Sequence, residues 1–150
     1  MSSTDHGTIS AGQEIWLIGP DLSVPLKAGL FYSRQDPYAV RMSLDAGRAE
    51  PVEWFLSRDL LTAALHSRQG IGDVRAWPSS ALTARADEAG LAGSKVLNIE
   101  LGRPAECARF EADATGIGAF LAQTFELVPA GEETDFLDLD AGLAELLSQA

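Results

Sequence analysis

The order of apolar and polar residues changes period several times along this chain, and those changes divide it into elements. Ile15-Trp16-Leu17-Ile18 is a short apolar run that predicts a strand, stopped at Gly19-Pro20. From Leu26 the period is two: Leu26, Ala28, Leu30 and Tyr32 share one face, with Lys27, Gly29 and Phe31 on the other. Asp36-Pro37 reads as a turn. Beyond it Tyr38, Val40, Met42 and Leu44 alternate with Ala39, Arg41, Ser43 and Asp45, as in a half-buried strand. Residues 45–48 turn the chain back, and Val52, Trp54 and Leu56 line a further strand face. Together these segments predict an antiparallel meander.

The period becomes helical at Ser57, a good N-cap, with Leu60, Leu61, Ala64 and Leu65 following at helical spacing. Most of the segment 57–66 reads as structural, with Arg58 and Asp59 paired locally and His66 closing the helix as a favourable cation. A strand is predicted from Asp73 to Trp77, stopping at Pro78, and residues 79–93 read as a long loop rich in Ser, Ala and Gly. Leu97, Ile99 and Leu101 alternate in the next strand, and a turn at 102–104 leads into a strand over 107–111. A second helix starts at an Asp113 cap, buries Ile117, Phe120, Leu121, Thr124, Phe125 and Val128, and ends at Pro129. A last helix is predicted over 138–148 from Leu139, Leu143, Leu146 and Leu147, with Asp135, Asp138 and Asp140 at its positive end. The pattern predicts an α+β fold: antiparallel sheet in two meander-plus-helix halves, or one strongly bent sheet, closed by a C-terminal helix.

At 150 residues the chain fits one domain, 1–150, with residues 1–8 read as a disordered start. That start lacks the apolar core of a signal peptide, and no apolar run approaches the roughly 20 residues that span a bilayer. With Cys107 as the single cysteine, no internal disulfide is possible, and a cytoplasmic setting is expected. Charge changes the picture more. The net charge is −11, divided unevenly: residues 1–109 carry all eleven basic residues against thirteen acids, while residues 110–150 carry nine acids and no base. Such a surface repels phosphate backbones and favours basic partners, so nucleic acid is not expected as a ligand.

Candidate chemistry is sparse. His6 and His66 are the two histidines, and no nucleophile elbow occurs. Cys107 reads as a partly buried structural residue. The pairs Gly70-Ile71-Gly72 and Gly116-Ile117-Gly118 lack the third glycine of a dinucleotide fingerprint, Arg75 and Leu121 standing there instead, and read as turn and close-packing glycines. An EF-hand loop begun at Asp138 would place Gly142 at position five and Gln149 at position twelve, where calcium needs a bidentate Glu. No catalytic, cofactor-binding or metal-binding residues are predicted. Trp16 and Trp54 read as core, whereas Phe31, Phe55 and Trp77 fall on faces opposite the apolar rows and are the candidate protein-interface residues.

Read in order, Asp36-Pro37-Tyr38-Ala39-Val40, Val52-Glu53-Trp54-Phe55, Arg58-Asp59-Leu60-Leu61, Leu65-His66 and the run from Gly72 to Ser79 resemble the SsgA-like proteins of actinobacteria. The ending Phe136-Leu137-Asp138-Leu139-Asp140 is similar too, so the likeness covers roughly residues 14–148. That resemblance implies a Whirly-like fold in a bell-shaped oligomer, usually a trimer, without enzymatic activity or cofactor. It implies regulation of sporulation-associated cell division through recruitment of the tubulin-like protein FtsZ, or of a sister SsgA-like protein, at septa. The Whirly-like fold also suggests a second reading, single-stranded nucleic-acid binding, against which the scattered basic residues count.

Overall fold

The computed structural model describes residues 2–5, 7–45, 47, 49–80, 95–136 and 146–148. Nine strands form one antiparallel sheet: β1 (Ser2–Asp5), β2 (Thr8–Ile18), β3 (Ser23–Ser33), β4 (Asp36–Asp45), β5 (Val52–Ser57), β6 (Gln69–Ile71), β7 (Val74–Ser80), β8 (Lys95–Arg103) and β9 (Glu106–Asp113). Two helices, α1 (Arg58–Ala64) and α2 (Ala114–Leu127), and a short 3-10 turn, Glu133–Phe136, complete the described elements. The spatial order is β5-β4-β3-β2-β9-β8-β7-β6, with β1 added beside β2. Each half is a meander followed by a helix, as the periodicity predicts. The halves are joined into a single sheet where Trp16, Leu17 and Ile18 of β2 pair with Glu111, Phe110 and Arg109 of β9.

One face of that sheet carries the core. Register aligns Leu26, Ala28, Leu30 and Tyr32 with odd-numbered residues of β2, and Ala28 and Leu30 with Leu44 and Met42 of β4. Across the join, Phe110 and Ala112 continue the apolar face into Ile99, Leu97 and Ala76. The helix α1 packs against β4 and β5 at one end of the sheet and against β6 and β7 at the other. A sheet whose two ends both reach one short helix must curl, and the apolar face is its concave side.

The helices begin where their caps predict. Ser57 Oγ accepts from the Leu60 amide at 3.1 Å, and Asp113 Oδ1 accepts from the Thr115 amide at 3.2 Å. The predicted apolar stripe of α2 is buried at Ile117, Phe120, Leu121 and Thr124, and Val128 just beyond is buried as well.

Several expectations are corrected. Residues 2–5 form β1, because Ser2 to Asp5 pair with Thr8 to Ala11 through a tight turn at Gly7, where φ is +86°. The strand β7 runs through Pro78 to Ser80. A proline is tolerated there because β6 pairs only as far as Ala76, so the missing N–H costs no ladder bond. Trp16 lies on the convex face, since Ile15 and Leu17 take the inward positions. Cys107 is exposed, because the inward positions of β9 belong to Ala108, Phe110 and Ala112. His66 lies beyond α1, which ends at Ala64. Most of the long loop predicted over 79–93 and most of the helix predicted over 138–148 lie outside the described residues, although 146–148 is helical.

The largest correction concerns Arg58, which does not pair with Asp59. Its side chain is 1% exposed, and its guanidinium donates to Thr124 O at 3.1 Å, Val128 O at 2.7 Å and Glu133 Oε1 at 2.9 Å. The Phe125 and Tyr32 rings lie 4.1 and 5.1 Å from the guanidinium carbon. The Glu133 carboxyl is held below the ordinary carboxylate range, first by its own backbone N–H and then by Arg58. Replacing Arg58 by Met would strand two carbonyls and a carboxylate in the interior. The expected loss is about 3–5 kcal/mol of unfolding free energy in denaturant titrations, with an unchanged slope.

Candidate functional site

On the convex face the strand register assembles a row that no single segment of sequence contains. Phe55 of β5 stands opposite Arg41 of β4, Arg41 opposite Phe31 of β3, and Phe31 opposite Ser10 of β2. The Arg41 guanidinium lies 4.1 Å from the Phe31 ring centre and pairs with Glu53 at 2.7 Å. Beneath, Phe31 folds over Gly29, where an added Cβ would come within 2.7 Å of the ring. Glycine and arginine therefore hold the phenyl ring between them. Phe55 has no such cover and is 62% exposed.

This row borders a trough of about 480 Å³ that also reaches Ile9, Tyr32, Ser33 and Asp36. Its walls are mainly apolar, with hydroxyls from Thr8, Ser10 and Ser33 at the edge, a composition suited to holding an apolar side chain. Tyr32 lines it too, although its ring packs beside Arg58, and its buried hydroxyl donates to Pro37 O at 2.8 Å. Burial pushes the Tyr32 phenol up to about 12, opposed by nearby Arg58 and reinforced by Glu133, Asp36 and Asp59.

The structure thus brings two of the three predicted interface residues together and separates the third. Trp77 sits on β7, near the opposite end of the sheet, half-buried with the Arg68 guanidinium 4.4 Å from its ring. Beside it Asn98 is buried, donating to Trp77 O and Ser79 Oγ while accepting from Arg109 at 2.9 Å. Arg41, Gly29 and Arg68 were missed by sequence reading, since their importance comes from cross-strand register and local packing. Among the described residues, no group of three or more His, Cys, Asp or Glu side chains could hold a metal ion. Gly72, at φ +59°, makes the β6–β7 turn, and Gly116 lets α2 approach Gln13 closely.

A family described as Streptomyces sporulation and cell division protein, SsgA, matches residues 26–133, which hold both helices, Arg58 with its partners, and the trough's lining apart from Thr8, Ile9 and Ser10. The chain belongs to this SsgA family. It is 42% identical over 147 residues to the sporulation-specific cell division protein SsgB of Thermobifida fusca, covering 97% of this chain and 99% of that one. Identity to SsgB of Streptomyces coelicolor is 38% over 134 residues, covering 89% and 90% of the two chains. The crystal structure of an SsgA-like sporulation-specific cell division protein from Thermobifida fusca superposes with a TM-score of 0.79 at 41% identity, covering 95% and 98%. The role of the SsgA-family chain is therefore in sporulation-associated cell division, and its family is one of division regulators rather than a known enzyme family. Its antiparallel curled sheet is the fold of its solved relative. No helix among the described residues is long and apolar enough to cross a membrane.

The buried Tyr32 phenol generates a pH test. A phenol whose folded pKa lies above its free value of 10.0 stabilises the fold fully below pH 10, and that contribution disappears as pH rises towards 12. Wild-type protein should lose about 2–3 kcal/mol across that window beyond any loss shown by Tyr32→Phe, measured by urea titration at stepped pH.

Proposed function

We propose that this SsgA-family protein is a non-enzymatic adaptor that positions the division machinery at septum sites. It does so by binding FtsZ or a sister SsgA-like protein through its convex sheet face. The observation that carries this reading is the row Phe55–Arg41–Phe31, large apolar groups on the solvent side of a sheet whose opposite face already holds the core. Aromatic residues and arginine are the side chains that most often anchor protein interfaces. A net charge of −11 adds a preference for basic partner surfaces and faster encounter with them. The working form is a homo-oligomer, a trimer, in the cytoplasm at division septa, with Phe31, Phe55 and Trp77 at contact surfaces.

Single-stranded nucleic-acid binding has less support. Such sites combine stacking aromatics with free positive charge along a groove. Here Arg41, Arg75 and Arg58 are each engaged by a glutamate, Glu53, Glu100 and Glu133 respectively.

Light scattering of the purified protein, followed by co-sedimentation with FtsZ under polymerising conditions, tests the reading. A mass of three chains and recovery with FtsZ polymers are expected. Phe31→Ser combined with Phe55→Ser should weaken recovery by roughly tenfold or more while the melting temperature holds. A monomer indifferent to FtsZ and to sister SsgA-like proteins would overturn the proposal.

A further inference from the structure

The two ends of the sheet are treated differently. At one end β6 is three residues long and β7 carries Pro78 in its unpaired stretch, both devices that keep a foreign strand from adding. At the other end β5 is six residues long, contains no proline, lysine or arginine, and pairs with β4 alone among the described strands. Its outer row of backbone N–H and C=O groups has no partner among the described strands, and an extended chain is the natural complement to such a row.

The two faces of β5 specify that chain further. On the concave side, the end of the sheet away from α1 and α2 encloses an apolar hollow of about 310 Å³, lined by Leu44, Val52, Trp54, Leu101 and Phe110 among others, none of them polar. Val52 at its rim remains 38% exposed. On the convex side the same strand presents Glu53 and Phe55, with Glu50 exposed just before it. Side chains of an added strand alternate between these two environments.

We propose that β5 is a strand-addition site for an extended segment of a partner protein, one that alternates apolar residues with lysine or arginine. The apolar residues enter the hollow beside Val52 and Trp54, and the basic ones lie along Glu53 and Phe55. Charge complementarity selects the basic segment: Glu50 is exposed beside β5, Arg41 holds only the Oε1 oxygen of Glu53, and β5 itself carries no cation. This deepens the adaptor reading and rests on it for the nature of the partner.

The test uses the full chain, isotope-labelled, with a peptide of about ten residues alternating Val or Phe with Lys, and a counterpart with Glu in place of Lys. The Lys peptide should protect amides of residues 52–57 from exchange and bind roughly tenfold or more tighter than the Glu peptide. Glu53→Lys should narrow or reverse that preference while leaving the melting temperature within a few degrees. Absence of added protection in β5 would overturn the proposal, as would equal binding of the two peptides. So would outward-pointing amides already protected before any peptide is added, which would mean that a second copy or the chain's own C-terminal segment covers the edge. Co-sedimentation with FtsZ separates the two readings. Recovery with FtsZ while both peptides leave β5 untouched removes strand addition alone; peptide addition without FtsZ recovery removes the FtsZ partnership alone.

Discussion

The fold turns on one buried cation. Arg58 begins α1, yet its guanidinium sits at the far end of α2 and against the first residue of the 3-10 turn, 66 to 75 positions away in sequence. Taking a guanidinium out of water is expensive, and the surroundings offset that cost in three ways. Glu133 supplies the countercharge, the carbonyls of Thr124 and Val128 supply the negative end of a helix, and the Phe125 and Tyr32 rings supply polarisable faces. A lysine could not do the same, because its ammonium has no planar fork with which to reach separate acceptors at once. The Nε remains buried without a hydrogen-bond partner among the described residues. The network is therefore not tuned for stability alone. Its geometry can be met by one docking of α1 against α2, which fixes how the two meanders close on each other.

That constraint reaches the convex surface through Tyr32. The same residue that packs beside Arg58 on the concave side also lines the trough, one position after Phe31. Alternation along β3 thus ties the inner network to the outer aromatic row: whatever fixes Tyr32 inward fixes Phe31 outward. Gly29 and Arg41 then set the Phe31 ring, while Phe55 stays exposed. Rigid scaffold and exposed contact lie within one strand pairing of each other.

Local chemistry made much of this legible in the sequence. Strict alternation identified β3 and β4 and their inward rows apart from Tyr38, which is exposed. The Ser57 and Asp113 caps marked both helix starts, and the stripe Ile117–Val128 gave the buried side of α2. Features set by distant pairing were not legible. Arg58 reads as a surface residue beside Asp59 until α2 and Glu133 are folded onto it. Pro78 reads as a strand stop unless one knows that β6 ends short of it. Trp16 looks like core by hydrophobicity, but Ile15 and Leu17 on either side point inward and leave it half-buried on the convex face. The interface candidates divide the same way: parity put Phe31, Phe55 and Trp77 on the outer face, but parity says nothing about which strands are neighbours, and Trp77 turned out to be distant from the other two.

The curl that Arg58 helps to fix also explains why one edge is left open. Closing the sheet into a barrel would remove its edges, and α1 spans the two ends instead of letting them pair. A helix can fill only the end of the concave face on which it sits, so the opposite end keeps an apolar hollow bounded by β5. Extending β6 to pair with β5 would have sealed both hollow and edge, and the chain spends only three residues there. Guarding β7 with proline while leaving β5 unguarded is an asymmetry that stability does not require. For the adaptor role proposed above, an open edge beside exposed Phe55 would offer a place to read a partner's backbone as well as its side chains.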